Sequence, residues 1–264
     1  MRRLLVLSLL VGAGGALWAL RHARPAGGAE PERLPATPVE PAAPATAPSP
    51  EARAPDARLP EVRFVPISGE APARVAPAQG DSRRVVVYLH GFCSDASTIA
   101  EWAPAVQRHA TLIAPHGELG CAGQPGHFRW GNDIRFTDYR VQRAIRSVGK
   151  ALGVELAQSD VTLAGYSEGA SRAESLAWLF PQHYRRAVLM SGPAVPAFEK
   201  VRGLERVAVL RGGREYRRTY RLAAEHFDKA GVSARFWELP GASHGELGPE
   251  APRVLGEVFD FVER

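Results

Sequence analysis

The stretch VTLAGYSEGASRAESLA, residues 161–177, contains the features that decide the fold. It begins with an apolar run, passes through the motif Gly-Tyr-Ser-Glu-Gly at 165–169, and continues with helical spacing. The motif alone arises by chance in about one chain in ten of such composition, so its flanks matter. Small residues around Ser167 permit a tight turn from strand to helix. Such a turn would expose the Ser167 hydroxyl beside the free N–H groups of a helix N-terminus.

Strands and helices alternate on both sides of this stretch. Apolar, β-branched runs predict strands at 83–89, 111–115, 160–165, 185–191, 206–212 and 234–240, and 61–67 is a candidate edge strand. Helices are predicted at 96–109, 136–153, 168–180, 215–230 and 250–262, with a long loop at 116–133. This order predicts an α/β fold, a mostly parallel twisted sheet with helices on both faces. The loops after the strands should share one rim of that sheet.

Three motifs in chain order resemble the α/β-hydrolase family. They are YLHGF at 88–92, GYSEG at 165–169 and GASHG at 241–245, and the resemblance covers about residues 83–262. The family orders its residues as serine, acid and histidine along the chain. The resemblance therefore implies a serine hydrolase in which Ser167 attacks a small-molecule carboxylic ester and forms an acyl-enzyme. No metal and no organic cofactor is expected, because the sequence has no His-Glu-x-x-His motif, no P-loop and no Gly-x-Gly-x-x-Gly after a strand.

The resemblance implies a general base and an acid for Ser167. A serine hydroxyl is a weak nucleophile near neutral pH, so an imidazole must take its proton. His244 follows the last predicted strand in a small-residue loop and is the candidate base. For the acid, Glu215 matches the family's position directly after a strand and is preferred. Asp228, late in a predicted helix, is the runner-up, and Glu238 lies on the strand before His244.

The turn after the first apolar strand is expected to help form an oxyanion hole. In the family, the residue after the turn glycine donates its backbone N–H, and the residue after the nucleophile donates another. Carried over through Gly91, these donors are the amides of Phe92 and Glu168. His90 itself is interpreted as structural. Trp130, in the long loop, is expected either to wall a substrate pocket or to pin the loop to the core.

The first 60 residues differ from the rest in composition. Residues 1–24 place two arginines before an uncharged apolar run at 4–20, the layout of an export signal or an N-terminal membrane anchor. Residues 25–60 hold ten prolines and ten alanines, which predicts a disordered linker. Residues 61–264 are then the α/β-hydrolase domain. We expect an exported protein, periplasmic or extracellular, or tethered to the membrane by residues 4–20.

The charge of residues 61–264 bears on nucleic-acid binding, and their two cysteines bear on disulfide formation. Residues 61–264 carry 26 Lys and Arg against 23 Asp and Glu, scattered along the chain, so no nucleic-acid partner is expected. The basic cluster at 211–221 is interpreted as a solvated helix face. Cys93 and Cys121 fall in loops at the same predicted edge, which leaves both a disulfide and two free thiols open.

The length of one connection bears on the substrate. About 14 residues separate the strands at 185–191 and 206–212, too few for a large helical lid. A small or absent lid favours a small or mid-sized ester over bulk lipid. Two alternatives are open: a peptidase or amidase using the same residues, and a tethered binding module that keeps the fold without the chemistry.

Overall fold

The computed structural model describes residues 61–264, so the predicted leader and linker lie outside the described residues. The strands are β1 (Arg63–Val65), β2 (Ala73–Ala76), β3 (Val85–Leu89), β4 (Thr111–Ala114), β5 (Leu119–Cys121), β6 (Gln124–Arg129), β7 (Val161–Tyr166), β8 (Tyr184–Met190), β9 (Arg206–Gly212) and β10 (Ser233–Leu239). The helices are α1 (Ile99–Gln107), α2 (Ile134–Leu152), α3 (Glu168–Leu179), α4 (Phe198–Val201), α5 (Arg218–Lys229) and α6 (Ala251–Val262).

Eight of the strands form one sheet in the order β1-β2-β4-β3-β7-β8-β9-β10. The six strands from β4 to β10 in that order run parallel, whereas β1 and β2 add to one edge in antiparallel pairing. The predicted mostly parallel α/β sheet is thus confirmed. The loops that follow the six parallel strands meet at their carboxyl edge, where functional groups gather in such sheets.

Side chains of the central strands alternate between two apolar layers. In β3, Val85, Val87 and Leu89 face one layer, packed by α2, α3 and α5, and the remaining two residues face the other, packed by α1 and α6. Because both faces of β3 are buried, none of its side chains faces solvent, which explains the unbroken apolar run in the sequence.

The glycines at 165 and 169 bring α3 unusually close to the sheet. A Cβ added at Gly169 would lie 1.9 Å from the Leu89 carbonyl oxygen, and one at Gly165 would lie 2.3 Å from the Gly169 oxygen. Neither contact is sterically possible without moving backbone. The two glycines therefore allow the start of α3 to rest on the end of β3, directly beneath the loop at residues 90–94.

Three segments contain elements that the sequence did not predict. The edge strand β2 was not predicted, because its four residues stand apart from any long apolar run. The predicted loop at 116–133 contains an antiparallel hairpin of β5 and β6, whose residues are largely exposed. The segment between β8 and β9 carries only the four-residue helix α4, in keeping with a small lid.

Among residues 61–264, no helix has both the length and the apolar character needed to span a bilayer.

Candidate active site

Ser167 sits at the junction of β7 and α3 in a strained backbone conformation. Its φ is 52° and its ψ is −117°, a region that side-chain-bearing residues rarely adopt. Its amide donates to the Met190 carbonyl oxygen at 2.9 Å, which fixes the turn to the neighbouring strand. The surrounding structure thus holds the hydroxyl at the carboxyl edge of the sheet despite the local cost.

Ser167, His244 and Glu215 form a continuous hydrogen-bonded row. Ser167 Oγ lies 3.0 Å from His244 Nε2, and His244 Nδ1 lies 3.0 Å from Glu215 Oε1. The three side chains come from the ends of three different strands, β7, β9 and β10. The preferred sequence-based candidates are therefore brought together, in an arrangement that moves a proton from a hydroxyl to an imidazole held by a carboxylate.

The Glu215 carboxylate is held by further donors. Ser191 Oγ donates to its Oε2 at 2.6 Å, and the Gly212 amide donates to the same oxygen at 2.9 Å. Burial raises the pKa of the Glu215 carboxyl, but these bonds and the one to His244 outweigh it, so that the pKa is lowered overall. The group therefore stays ionised beside the imidazole. Ser191 was not expected from sequence; its positive φ of 45° is visible only in the fold.

The loop that carries His244 is anchored by Tyr166. The Gly245 amide donates to Tyr166 Oη at 2.5 Å, and the Tyr166 and His244 rings lie 5.6 Å apart between centroids. Burial raises the pKa of the Tyr166 phenol, which therefore stays neutral and able to accept this bond. Half of the His244 side chain is exposed, at 51%, so the anchor at Tyr166 matters for its placement. Tyr166 lies inside the GYSEG motif, but its role was not visible in the sequence.

The other two candidate acids lie in different interactions. Asp228 Oδ1 accepts a hydrogen bond from the Ala234 amide at 3.3 Å, near the start of β10. Glu238 forms an ion pair with Arg217. Of the three carboxylates considered, the structure brings Glu215 alone into contact with His244.

Phe92 lines the same cleft as Ser167, and Glu168 follows Ser167 directly in the chain. The chain passes close to the nucleophile at Gly91, where an added Cβ would lie 3.4 Å from Ser167 Cβ. The Glu168 amide is the first of α3 and has no partner within the helix. Within residues 61–264, neither the Phe92 amide nor the Glu168 amide donates to a protein acceptor. Each of the two amides therefore retains a free N–H.

His90 and Trp130 bind the loop after β3 to the long loop. His90 Nε2 accepts from the Gly117 amide at 2.9 Å, while its Nδ1–H donates to the Gly91 oxygen at 2.7 Å. Trp130 is 2% exposed, and its Nε1–H donates to the His90 oxygen at 2.8 Å. These bonds support a structural role for His90. They favour the interpretation of Trp130 as a residue that pins the loop to the core.

Acid is expected to destabilise the fold through His90. Burial lowers the pKa of His90 from 6.5 to about 4. Between these values the unfolded chain binds a proton that the folded chain does not, so stability falls as the pH drops from about 6.5 to 4. The full effect is about 3 kcal/mol of unfolding free energy. Urea unfolding across this range measures it.

His90→Gln provides the control for this prediction. The variant lacks the titrating ring, so its unfolding free energy should depend less steeply on pH. His116, whose pKa burial also lowers, is present in both proteins, so the comparison isolates the effect of removing the His90 ring. An unchanged slope in His90→Gln would contradict the assignment.

A cleft of about 420 Å³ opens beside Ser167 and His244. Its remaining walls come from β3 and the loop after it, the end of β7, the residue before α1 and the loop before α6: Tyr88, Gly91, Phe92, Cys93, Ser94, Thr98, Tyr166, Gly245 and Leu247. None of these side chains is a carboxylate, a lysine or an arginine.

Cys93 is joined to Cys121 in a disulfide, with Cα atoms 5.8 Å apart, which resolves the choice left open by the sequence.

The fold and the position of this site at the carboxyl edge of the sheet are those of the α/β-hydrolase class. A family described as phospholipase/carboxylesterase matches residues 70–209, slightly more than half of the chain, and the protein belongs to this family. The match includes the loop after β3 and the GYSEG motif but ends before Glu215 and His244. The assignment of those two residues therefore rests on their geometry.

Solved structures of esterases share the fold. Esterase PE8 is 18% identical, with a TM-score of 0.55 over 71% of this chain and 97% of its own. The Bacillus cereus carboxylesterase is 17% identical, with a TM-score of 0.53 over 72% of this chain and 93% of its own. An esterase of Pyrobaculum calidifontis is 17% identical, with a TM-score of 0.52 over 79% and 85%. No curated protein sequence matches the chain.

Proposed function

We propose that this hydrolase cleaves carboxylic esters through a covalent acyl-enzyme on Ser167. The observation that carries the proposal is the unbroken row of hydrogen bonds from Ser167 through His244 to Glu215, at the wall of a cleft. Family membership supports ester hydrolysis, and the row supplies the chemistry for it.

In the acylation step, His244 Nε2 takes the proton of Ser167 as its Oγ attacks the ester carbonyl carbon. The carbonyl oxygen becomes an oxyanion, and the amides of Phe92 and Glu168 donate to it. The tetrahedral intermediate then collapses, the alcohol leaves with the proton from His244, and the acyl group remains on Ser167. Glu215 holds the imidazole in place and stabilises its charged form.

In the deacylation step, His244 takes a proton from water, and the resulting hydroxide attacks the acyl carbon. The same two amides receive the second oxyanion. Return of the proton to Ser167 Oγ releases the carboxylic acid and restores the row. Over the two steps the ester and one water molecule are converted to the alcohol and the carboxylic acid, and the protons pass through His244.

Fluorophosphonate labelling tests this proposal. The full-length protein should react once, and the labelled peptide should contain Ser167. With p-nitrophenyl acetate, a burst of p-nitrophenol equal to the enzyme concentration should precede the steady state if deacylation is the slower step. Label found on another residue would refute the assignment of the nucleophile. A folded protein that takes no label would favour the non-catalytic binding module.

The uncharged cleft is expected to select neutral acyl groups. A carboxylate placed against walls that hold no lysine and no arginine loses hydration without a permanently charged partner. We expect kcat/KM for p-nitrophenyl butyrate to exceed that for mono-p-nitrophenyl succinate by about tenfold or more at pH 7.5. Equal values for the two esters would contradict this selectivity.

The same cleft favours short and mid-sized esters. Its modest volume and the short connection around α4 leave little cover for a long chain. Hydrolysis of p-nitrophenyl palmitate should therefore be much slower than that of the butyrate.

Comparing p-nitrophenyl butyrate with butyryl p-nitroanilide separates esterase from amidase activity, because faster anilide turnover would favour the peptidase or amidase alternative.

We propose further that residues 1–60 export the domain or tether it to a membrane. The support is the charged and apolar pattern of residues 1–24 followed by the proline- and alanine-rich linker. Cell fractionation of the full chain beside a variant lacking residues 1–24 tests this. Identical cytoplasmic recovery of the two proteins would refute it.

A further inference from the structure

The oxyanion donors are tied to a part of the chain that carries no reacting group. Residues 116–131, called the 116–131 segment, contain the β5–β6 hairpin and end with Trp130 and Gly131. This segment contributes no residue to the hydrogen-bonded set of Ser167, His244 and Glu215, called the Ser167 row. Its hydrogen bonds nevertheless converge on the two chain positions that supply the oxyanion amides.

Trp130 contacts both sides of the oxyanion hole. Its indole Nε1–H donates to the His90 oxygen at 2.8 Å, two residues before Phe92. Its backbone amide donates to Glu168 Oε2 at 3.3 Å. One buried residue thus links the loop that carries the first donor to the residue that carries the second.

The segment also holds the chain directly after Phe92. Ser94 and Phe128 exchange two backbone hydrogen bonds, of 3.1 and 3.0 Å. Cys93 is joined covalently to Cys121. Phe92 is therefore fixed on both flanks by the 116–131 segment.

The donor loop needs this support because Phe92 does not anchor itself. The Phe92 residue is 63% exposed, and Cys93 has a φ of 48°, a conformation that costs a non-glycine residue free energy. Without external ties, this short stretch could relax and turn the Phe92 amide away from Ser167. An oxyanion donor works only when held near 3 Å from the developing charge.

The segment is itself anchored to helix α2. Glu118 Oε1 accepts from the Gly131 amide at 2.8 Å, and Glu118 Oε2 accepts from Arg140 at 3.2 Å. Arg140 also donates to Glu70 at 2.9 Å, and its side chain is 5% exposed. A chain of hydrogen bonds thus runs from Arg140 of α2 through Glu118 to Gly131, the residue after Trp130.

We propose that the 116–131 segment, acting through Trp130 and the Cys93–Cys121 disulfide, is a positioning element that sets the two oxyanion amides against Ser167. Trp130 acts through His90 and Glu168 and touches no substrate. This inference rests on the proposed function. It adds that transition-state stabilisation depends on residues outside the Ser167 row.

Trp130→Phe tests the inference, because it removes the indole N–H and keeps an aromatic ring. We expect kcat for p-nitrophenyl butyrate to fall about tenfold or more, with KM changed less than about twofold. Inhibition by 1,1,1-trifluoro-2-hexanone, whose adduct on serine carries an oxyanion, should weaken by the same factor as kcat/KM. Inhibition by 2-hexanone, which forms no such stable adduct, should not change.

Trp102→Phe is the matched control. Trp102 is fully buried, and its Nε1 has no hydrogen-bond partner within residues 61–264, so the change removes similar volume without removing a bond. It should retain kcat and the affinity for the trifluoroketone. If it loses both as Trp130→Phe does, core packing explains the effect and the inference is wrong.

Cys93→Ser combined with Cys121→Ser provides a second, independent test, which also serves if Trp130→Phe does not fold. It should lower kcat and the trifluoroketone affinity together by several-fold, with KM changed little. Both variants retaining wild-type kcat and trifluoroketone affinity would overturn the inference. An inactive, unlabelled wild type would instead refute the proposed function, so the two failures are distinguishable.

Discussion

Ser167→Ala is expected to lower kcat/KM for p-nitrophenyl butyrate by a factor on the order of 10⁴ to 10⁶. The change removes the oxygen that attacks the ester and receives the acyl group, while the cleft and the oxyanion amides remain. The alanine fits the same turn, so the thermal unfolding midpoint should change little. Steady-state hydrolysis and thermal unfolding of the same preparation check the two parts. Activity that survives the substitution would refute Ser167 as the nucleophile.

Ser167→Gly separates the chemistry from the strain at this position. The backbone at φ 52° and ψ −117° is strained for serine and for alanine but open to glycine. The glycine variant should be as inactive as the alanine variant and more stable than it by about 1 kcal/mol. Urea unfolding of the pair measures this difference. Equal stability would mean that the turn stores no significant strain.

Glu215→Gln is expected to lower kcat by about 10³- to 10⁴-fold with little change in KM. The amide keeps the shape of the side chain but removes the charge that stabilises the imidazolium of His244. The amide N–H₂ group can also donate to His244 Nδ1, which favours the tautomer with the proton on Nε2, and that tautomer cannot accept the proton of Ser167. Initial rates with p-nitrophenyl butyrate measure the loss. Glu215→Asp, which keeps the charge at a shorter reach, should recover part of the activity.

Asp228→Asn is the control that discriminates between the two candidate acids. Asp228 receives the Ala234 amide, a bond that asparagine can also accept through its carbonyl oxygen. Its activity should stay within about twofold of wild type. A large loss in Asp228→Asn together with an active Glu215→Gln would reverse the assignment.

The elements that the sequence predicted are those whose signal is local. β3, β7 and β9 appear as apolar runs because both of their faces are buried, and α2 follows from its periodicity. The start of α2 was also readable, since Asp133 caps it by accepting from the amides of Arg135 and Phe136. The predicted helix at 136–153 therefore began two residues too late.

The features that the sequence did not predict depend on distant partners. The β5–β6 hairpin is exposed and rich in glycine, and its place in the fold comes from pairing with Ser94 and from the disulfide. Glu215 was expected to begin a helix, but it folds back to accept the Gly212 amide, so α5 starts at Arg218. Within the site, Ser191 and Tyr166 hold groups that come from other strands, which no local pattern specifies.

If the Cys93–Cys121 disulfide positions the oxyanion amides, the activity of the protein depends on the redox potential of the medium. Both cysteine residues are only partly buried, so we expect thiol reagents to reach the bond from solvent. In an oxidising medium it would stay closed, whereas the glutathione of a reducing cytosol would favour its opening. A preparation made in such a cytosol, or stored with dithiothreitol, would on this basis be a weaker esterase than one allowed to oxidise. Specific activities of this protein should therefore be compared only at a stated thiol–disulfide balance.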